Sequence, residues 1–157
     1  MNPAYIVVLT IHVLSAAVLF GTGMGIAFFM VWAHRTGDTA TMAAVARIVV
    51  TADFIFTATA VVIQPLSGVA LAHFAGIPLS APWLVASYAL YGFVGLCWLP
   101  VVAMQMRMRA LLEGAVRDEA PPPDAYHRLY HLWFALGWPA FAAVIAIYVL
   151  MLAKPTF

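Results

Sequence analysis

The sequence predicts an all-α fold, an integral membrane antiparallel four-helix bundle, and three observations predict it. No Asp, Glu, Lys or Arg occurs in residues 1–33, and none occurs in residues 54–106. Each such charge would cost several kcal/mol in hydrocarbon, so a chain that omits them over stretches this long is suited to a bilayer. Hydrophobic residues make up 66% of the chain and charged residues 8%, which sets it apart from soluble domains. Finally, short polar or proline-containing segments divide the apolar sequence into four stretches, each of which reaches the ~20 residues that a membrane helix needs.

The elements follow in order. Span one covers about residues 4–32 and stops at His34-Arg35-Thr36-Gly37-Asp38. Span two covers about residues 47–75 and ends at Gly76-Ile77-Pro78-Leu79-Ser80-Ala81-Pro82, a short apolar turn. Span three covers about residues 83–106. The polar stretch after it runs from Glu113 to Asp124 and contains Pro121-Pro122-Pro123, which cannot be helical. Span four covers about residues 129–153. Short connections make neighbouring helices antiparallel, so residues 1–157 read as a single four-span domain with no separate soluble unit. A secretory signal is not expected, because the first apolar run lacks a basic leader and is too long for one.

Basic residues near the helix ends give the orientation. Arg35 and Arg47 flank the first loop, Arg107, Arg109, Arg117 and Arg128 surround the third, and only Lys154 lies on the opposite side. Both termini are therefore expected outside the cytoplasm of a bacterial inner membrane. Trp32 and Trp83 would mark the two interfaces. The lipid bilayer is the first partner. Nucleic-acid binding is excluded by the lack of an extended basic surface. Cys97, the one cysteine, lies in an apolar run between Leu96 and Trp98, where it packs and has no disulfide mate.

Within the apolar runs the few polar residues are the candidates for function. At a rise of about 1.5 Å per residue, His12, Gln64 and Tyr91 come to the same depth, roughly 12 Å from the outer end. A membrane histidine must satisfy two ring nitrogens without bulk water. One reading is an interhelical hydrogen bond from His12 to Gln64, Ser67, Tyr88 or Tyr91. The other makes His12 an axial ligand to haem iron, with Gln64 and Tyr91 beside the cofactor. No second histidine shares this depth, and His73 misses it by roughly 10 Å. His127 and His131, spaced i and i+4, share a helix face at the inner boundary. With His34 they form a second candidate metal or haem site, interfacial anchoring being the alternative.

Asp53 is the one carboxylate well inside a span, about 9 Å along the helix from Arg47. An ion pair with Arg47 or Arg107 is the structural expectation, and a proton relay the functional one. Pro65, Pro100 and Pro139 each remove a helical hydrogen bond and free the carbonyl one turn earlier. Gly21 and Gly25 form a small-xxx-small pair, suited to a seam within the chain or to a homo-oligomer. Met104 and Met108 share a face and suggest soft copper ligation or, more commonly, packing.

The order of these motifs carries a resemblance. Ile11-His12-Val13-Leu14-Ser15, Ala52-Asp53-Phe54-Ile55-Phe56-Thr57, Gln64-Pro65-Leu66-Ser67-Gly68, Pro82-Trp83-Leu84 and Gly137-Trp138-Pro139-Ala140-Phe141 look like the bacterial family termed domain of unknown function 2269. Gln105 with Arg107, Tyr126, Trp133 and the ending around Lys154-Pro155 extend the likeness over nearly the whole chain. That family is described as predicted integral membrane proteins, without an assigned activity. More distantly the layout resembles HemJ-type protoporphyrinogen oxidases, four-helix membrane proteins thought to bind haem b, whose early histidine corresponds in place to His12. Those enzymes carry a lysine just after a tryptophan at the start of span three. Here Trp83 is followed by Leu84, so the resemblance implies the haem site more than the oxidase activity. A similar layout also occurs in copper-resistance membrane proteins.

Two functional expectations result. The first is a haem b-binding redox or electron-transfer protein with His12 as ligand, exchanging electrons with quinone or a larger respiratory complex. The second is a cofactor-free structural or accessory subunit of a larger membrane complex, whose polar residues hold helices together.

Overall fold

The computed structural model describes residues 2–155, so Met1, Thr156 and Phe157 lie outside the described residues. Four helices are long and apolar enough to cross a membrane: α1 (Pro3–Thr36), α2 (Thr39–Phe74), α3 (Pro82–Arg117) and α4 (Asp124–Ala153). No strand is present among the described residues.

Local chemistry fixes the helix ends. Asn2 caps α1 by accepting from the Ala4 amide at 3.0 Å, and Pro3 fills the first helical position, where its missing N–H costs nothing. Gly37, at φ +69°, ends α1, and Asp38 immediately caps α2 by accepting from the Thr41 amide at 2.8 Å. The α2 terminus is a Schellman turn: Ile77 donates to the Ala72 carbonyl at 2.9 Å and Gly76, at φ +63°, to that of His73. The α3 terminus repeats the pattern, with Ala120 donating to Ala115 and Glu119 occupying the left-handed position at φ +50°.

The helices outrun the membrane spans read from hydropathy. α2 begins at Thr39 rather than near 47, and α3 continues past 106 to Arg117. In both extensions the buried residues recur at helical spacing: Met42, Ala43, Ala46, Val49 and Val50 on α2, and Met108, Leu112 and Ala115 on α3. Of these, Met42, Ala43, Ala46, Val49, Met108 and Leu112 meet Ile26, Met30 and Ala33 of α1 and Tyr126, Tyr130 and Trp133 of α4 in one cluster. The core therefore sits at the arginine-rich end of the bundle, here the inner end.

Around the bundle α1 packs on α2, the N-terminal half of α2 packs on α3, and α3 packs along α4. α1 reaches α4 through aromatic side chains, Phe20 meeting Phe141 at 4.9 Å and Tyr148 at 5.7 Å between ring centroids. Lys154 lies 5.9 Å above the Trp83 ring and joins the outer ends of α4 and α3. α2 is not uniform, since Asp53–Thr57 forms a π-helical turn in which the Ala58 amide donates to the Asp53 carbonyl, five residues back. Pro65, Pro100 and Pro139 all lie inside continuous helices.

Candidate functional site

His12 lies on α1 facing α2, and the residues it meets there are spaced for one helix face. Gln64, Ser67 and Gly68 stand at i, i+3 and i+4, so all three point toward α1. The His12 Nδ1 is 2.9 Å from the Ser67 hydroxyl, and its Nε2 is 3.3 Å from the Gln64 amide nitrogen. Ser67 donates its own hydrogen to the Ile63 carbonyl at 2.7 Å. The hydrogen count then assigns the tautomer: Nδ1–H donates to Ser67, and the Nε2 lone pair accepts from Gln64. Ser15, one turn along α1, bonds the Gln64 side-chain oxygen and lies 3.0 Å from the His12 carbonyl. Gly68 makes the approach feasible, because a Cβ there would stand 3.1 Å from His12 Cε1. Of the partners expected for His12 the structure brings in Gln64 and Ser67, and it adds Ser15 and Gly68.

Tyr91 is at the same level but serves another partner. Its hydroxyl donates to the Val61 carbonyl at 2.7 Å. That carbonyl is the one Pro65 leaves without a helical donor, so α3 repairs the break in α2. The neighbouring Tyr88 hydroxyl is buried and has no partner among the described residues. His73 is exposed near the outer end of α2, away from His12.

A second polar group lies toward the inner end. Asp53, 3% exposed, accepts from the Trp98 indole at 3.3 Å. With the Gln105 amide turned to satisfy its neighbours, its nitrogen donates to the other Asp53 oxygen at 3.1 Å and its oxygen accepts from the Trp133 indole at 3.2 Å. The ion pair expected with Arg47 or Arg107 is not formed. Arg47 and Arg109 both turn to Glu113, at 3.4 and 2.9 Å, and Asp53 has no cationic partner among the described residues. Helix phase explains the difference: Arg47 is exposed, whereas Asp53 points into the bundle from the π turn.

At the inner boundary His34 stacks on Tyr130 at 3.8 Å between centroids, and its Nδ1 is 3.2 Å from the Tyr126 hydroxyl. His127 meets His34 nearly edge-on at 5.7 Å, and His131 meets Tyr130 nearly edge-on at 5.8 Å. The structure thus brings His34, His127 and His131 into one aromatic cluster around Tyr130. No group of three or more His, Cys, Asp or Glu residues that could hold a metal ion occurs among the described residues. Met108 is fully buried in the inner core, and Cys97 is buried as a free thiol. A Cβ at Gly21 would meet nothing, so the Gly21 and Gly25 pair is not a tight seam within the chain.

No curated protein and no solved structure matches the chain. The family model described as "Predicted integral membrane protein (DUF2269)" matches residues 6–155, nearly the whole bundle from α1 to the end of α4. The chain belongs to this family of integral membrane proteins.

Proposed function

We propose that the protein is a cofactor-free accessory subunit of a larger complex in a bacterial inner membrane, and that His12 clasps α1 to α2. The observation that carries this reading is that both nitrogens of the His12 ring are already engaged by α2, at Ser67 and Gln64. A ligating imidazole needs one nitrogen directed into space for the cofactor. Here the ring lies against the backbone at Gly68, and Gln64 stands where the iron would be. The clustering of Arg35, Arg47, Arg107, Arg109, Arg117 and Arg128 at the inner end supports placing that end in the cytoplasm and both termini outside.

One observation favours a second reading, a haem b-binding electron-transfer protein working with quinone or a respiratory complex. Ser67 fixes the ring as the Nδ1–H tautomer, which leaves Nε2 as the lone-pair nitrogen that iron takes. Gln64 would have to swing aside. Haem there would supply one-electron transfer.

The visible spectrum of the detergent-purified protein, expressed with ample haem and reduced with dithionite, separates the two. The accessory reading expects no Soret band. A stoichiometric Soret band that disappears in His12→Ala would replace it with the haem reading.

A further inference from the structure

At the inner end the face between α2 and α3 is grooved. A groove of about 550 Å³ runs between the helices, walled by Val50, Phe54 and Ile55 on one side and Met106 and Ala110 on the other. Arg109 and Glu113 close its inner end, and beyond Glu113 a second groove of about 310 Å³ carries Arg47 and Arg117. Apolar wall therefore gives way to guanidinium along one axis. From Ile55 to Arg47 the change takes about 12 Å of helix.

Charge does not cancel there. Arg47, Arg109 and Arg117 face a single carboxylate, Glu113. One oxygen of Glu113 serves both Arg47 and Arg109, and each arginine reaches it through Nε. The terminal amino groups of both guanidinium forks, which grip phosphate in paired hydrogen bonds, have no protein partner among the described residues.

We propose that this face binds one anionic glycerophospholipid from the adjoining leaflet, an acyl chain lying along Phe54, Ile55 and Met106 and the phosphate seated between Arg47 and Arg109. Basic pockets between membrane helices at the cytoplasmic boundary select anionic headgroups in this way. Phosphatidylcholine fills the apolar groove equally well and carries the same phosphodiester, but its trimethylammonium group sets a further cation beside Arg47, Arg109 and Arg117, which an anionic lipid does not. The Glu113 carboxylate holds both arginines in place through their Nε atoms and leaves their terminal amino groups for the phosphate.

Native mass spectrometry of the full chain tests this, with phosphatidylglycerol and phosphatidylcholine of identical acyl chains offered in competition. The wild type retains one phosphatidylglycerol in preference to phosphatidylcholine by roughly tenfold or more. Arg47→Gln with Arg109→Gln brings the preference to near parity. Ala110→Trp, at an exposed groove position, lowers retention of both lipids while the helical circular dichroism stays unchanged. Arg128→Gln, on α4, keeps the wild-type preference. Equal retention by the wild type, a preference that survives loss of both arginines, or an equal fall in Arg128→Gln would overturn the proposal. Displacement of the lipid by inorganic phosphate, with no effect of Ala110→Trp, would reduce the site to a bare anion site and overturn it as well.

Discussion

Tyr91 on α3 donates its hydroxyl hydrogen to the Val61 carbonyl on α2 at 2.7 Å, and Val61 is the residue whose helical donor Pro65 removes. A kink in one helix is thereby satisfied by its neighbour, without water. Tyr91→Phe leaves that carbonyl unpaired and should cost about 1–3 kcal/mol in reversible unfolding. Pro65→Ala restores the missing N–H, so Tyr91→Phe should cost markedly less in that background. Equal costs in the two backgrounds would show that the hydroxyl and the proline are uncoupled.

Gly68 is where the His12 clasp meets backbone. Gly68→Ala places a methyl 3.1 Å from His12 Cε1 and should destabilise the protein by about 1–3 kcal/mol as the ring is pushed from Ser67. Removing the ring removes the conflict. In a His12→Ala background the same substitution should be nearly neutral, and the double-mutant cycle measures the difference.

The Asp53 carboxyl accepts from the Trp98 indole and the Gln105 amide in a site shut off from water. Asp53→Leu strands the Trp98 indole and the Gln105 amide and should cost about 1–3 kcal/mol or more. Tryptophan fluorescence reports it directly, with an altered Trp98 environment expected even where the fold survives. An unchanged spectrum would mean that Trp98 does not bond Asp53.

Glu119 holds a left-handed backbone conformation at the end of α3. Glu119→Gly relieves that strain, at the cost of some unfolded-chain entropy, and should raise stability by about 0.5–1 kcal/mol. Glu119→Val should lower it, because a β-branched residue tolerates φ +50° poorly. Thermal unfolding of the pair gives the sign of each.

Asp38, in the loop between α1 and α2, is held below the usual carboxylate value by hydrogen bonds from the Thr41 hydroxyl and amide. Its folded pKa is the lower of the two, so its contribution is present above the unfolded value, near 4, and lost as the pH falls through the folded one. Melting temperatures taken through the acid range should show a fall that is smaller in Asp38→Ala. Parallel curves would mean that the cap does not titrate with folding.

The fold class was legible because charge is the one thing a membrane span must avoid, and the gaps before Ala33 and between Phe54 and Met106 reveal it. The pairing of His12 with Gln64 and Ser67 was legible through depth, which depends only on helical rise. Rotational phase was not legible. In hydrocarbon both faces of a helix are apolar, so the sequence does not say which way Asp53 or Arg47 points, and the expected ion pair yields to Trp98 and Gln105. The π turn at Asp53–Thr57 carries no glycine or proline to announce it. Tyr91 was placed at the right level but aimed at His12, because the destination of the carbonyl freed by Pro65 depends on where α3 lies. The helical extensions were missed for a simpler reason: bilayer thickness sets the length of a span, not of a helix.

Nitrogen NMR of the histidine rings, on the full chain in lipid with His12 assigned by its Ala variant, tests the clasp most directly. The clasp requires a neutral ring protonated at Nδ1, with a hydrogen-bonded Nε2 that is indifferent to added haem. Protonation at Nε2, or loss of the His12 signals when haem is added, would contradict it.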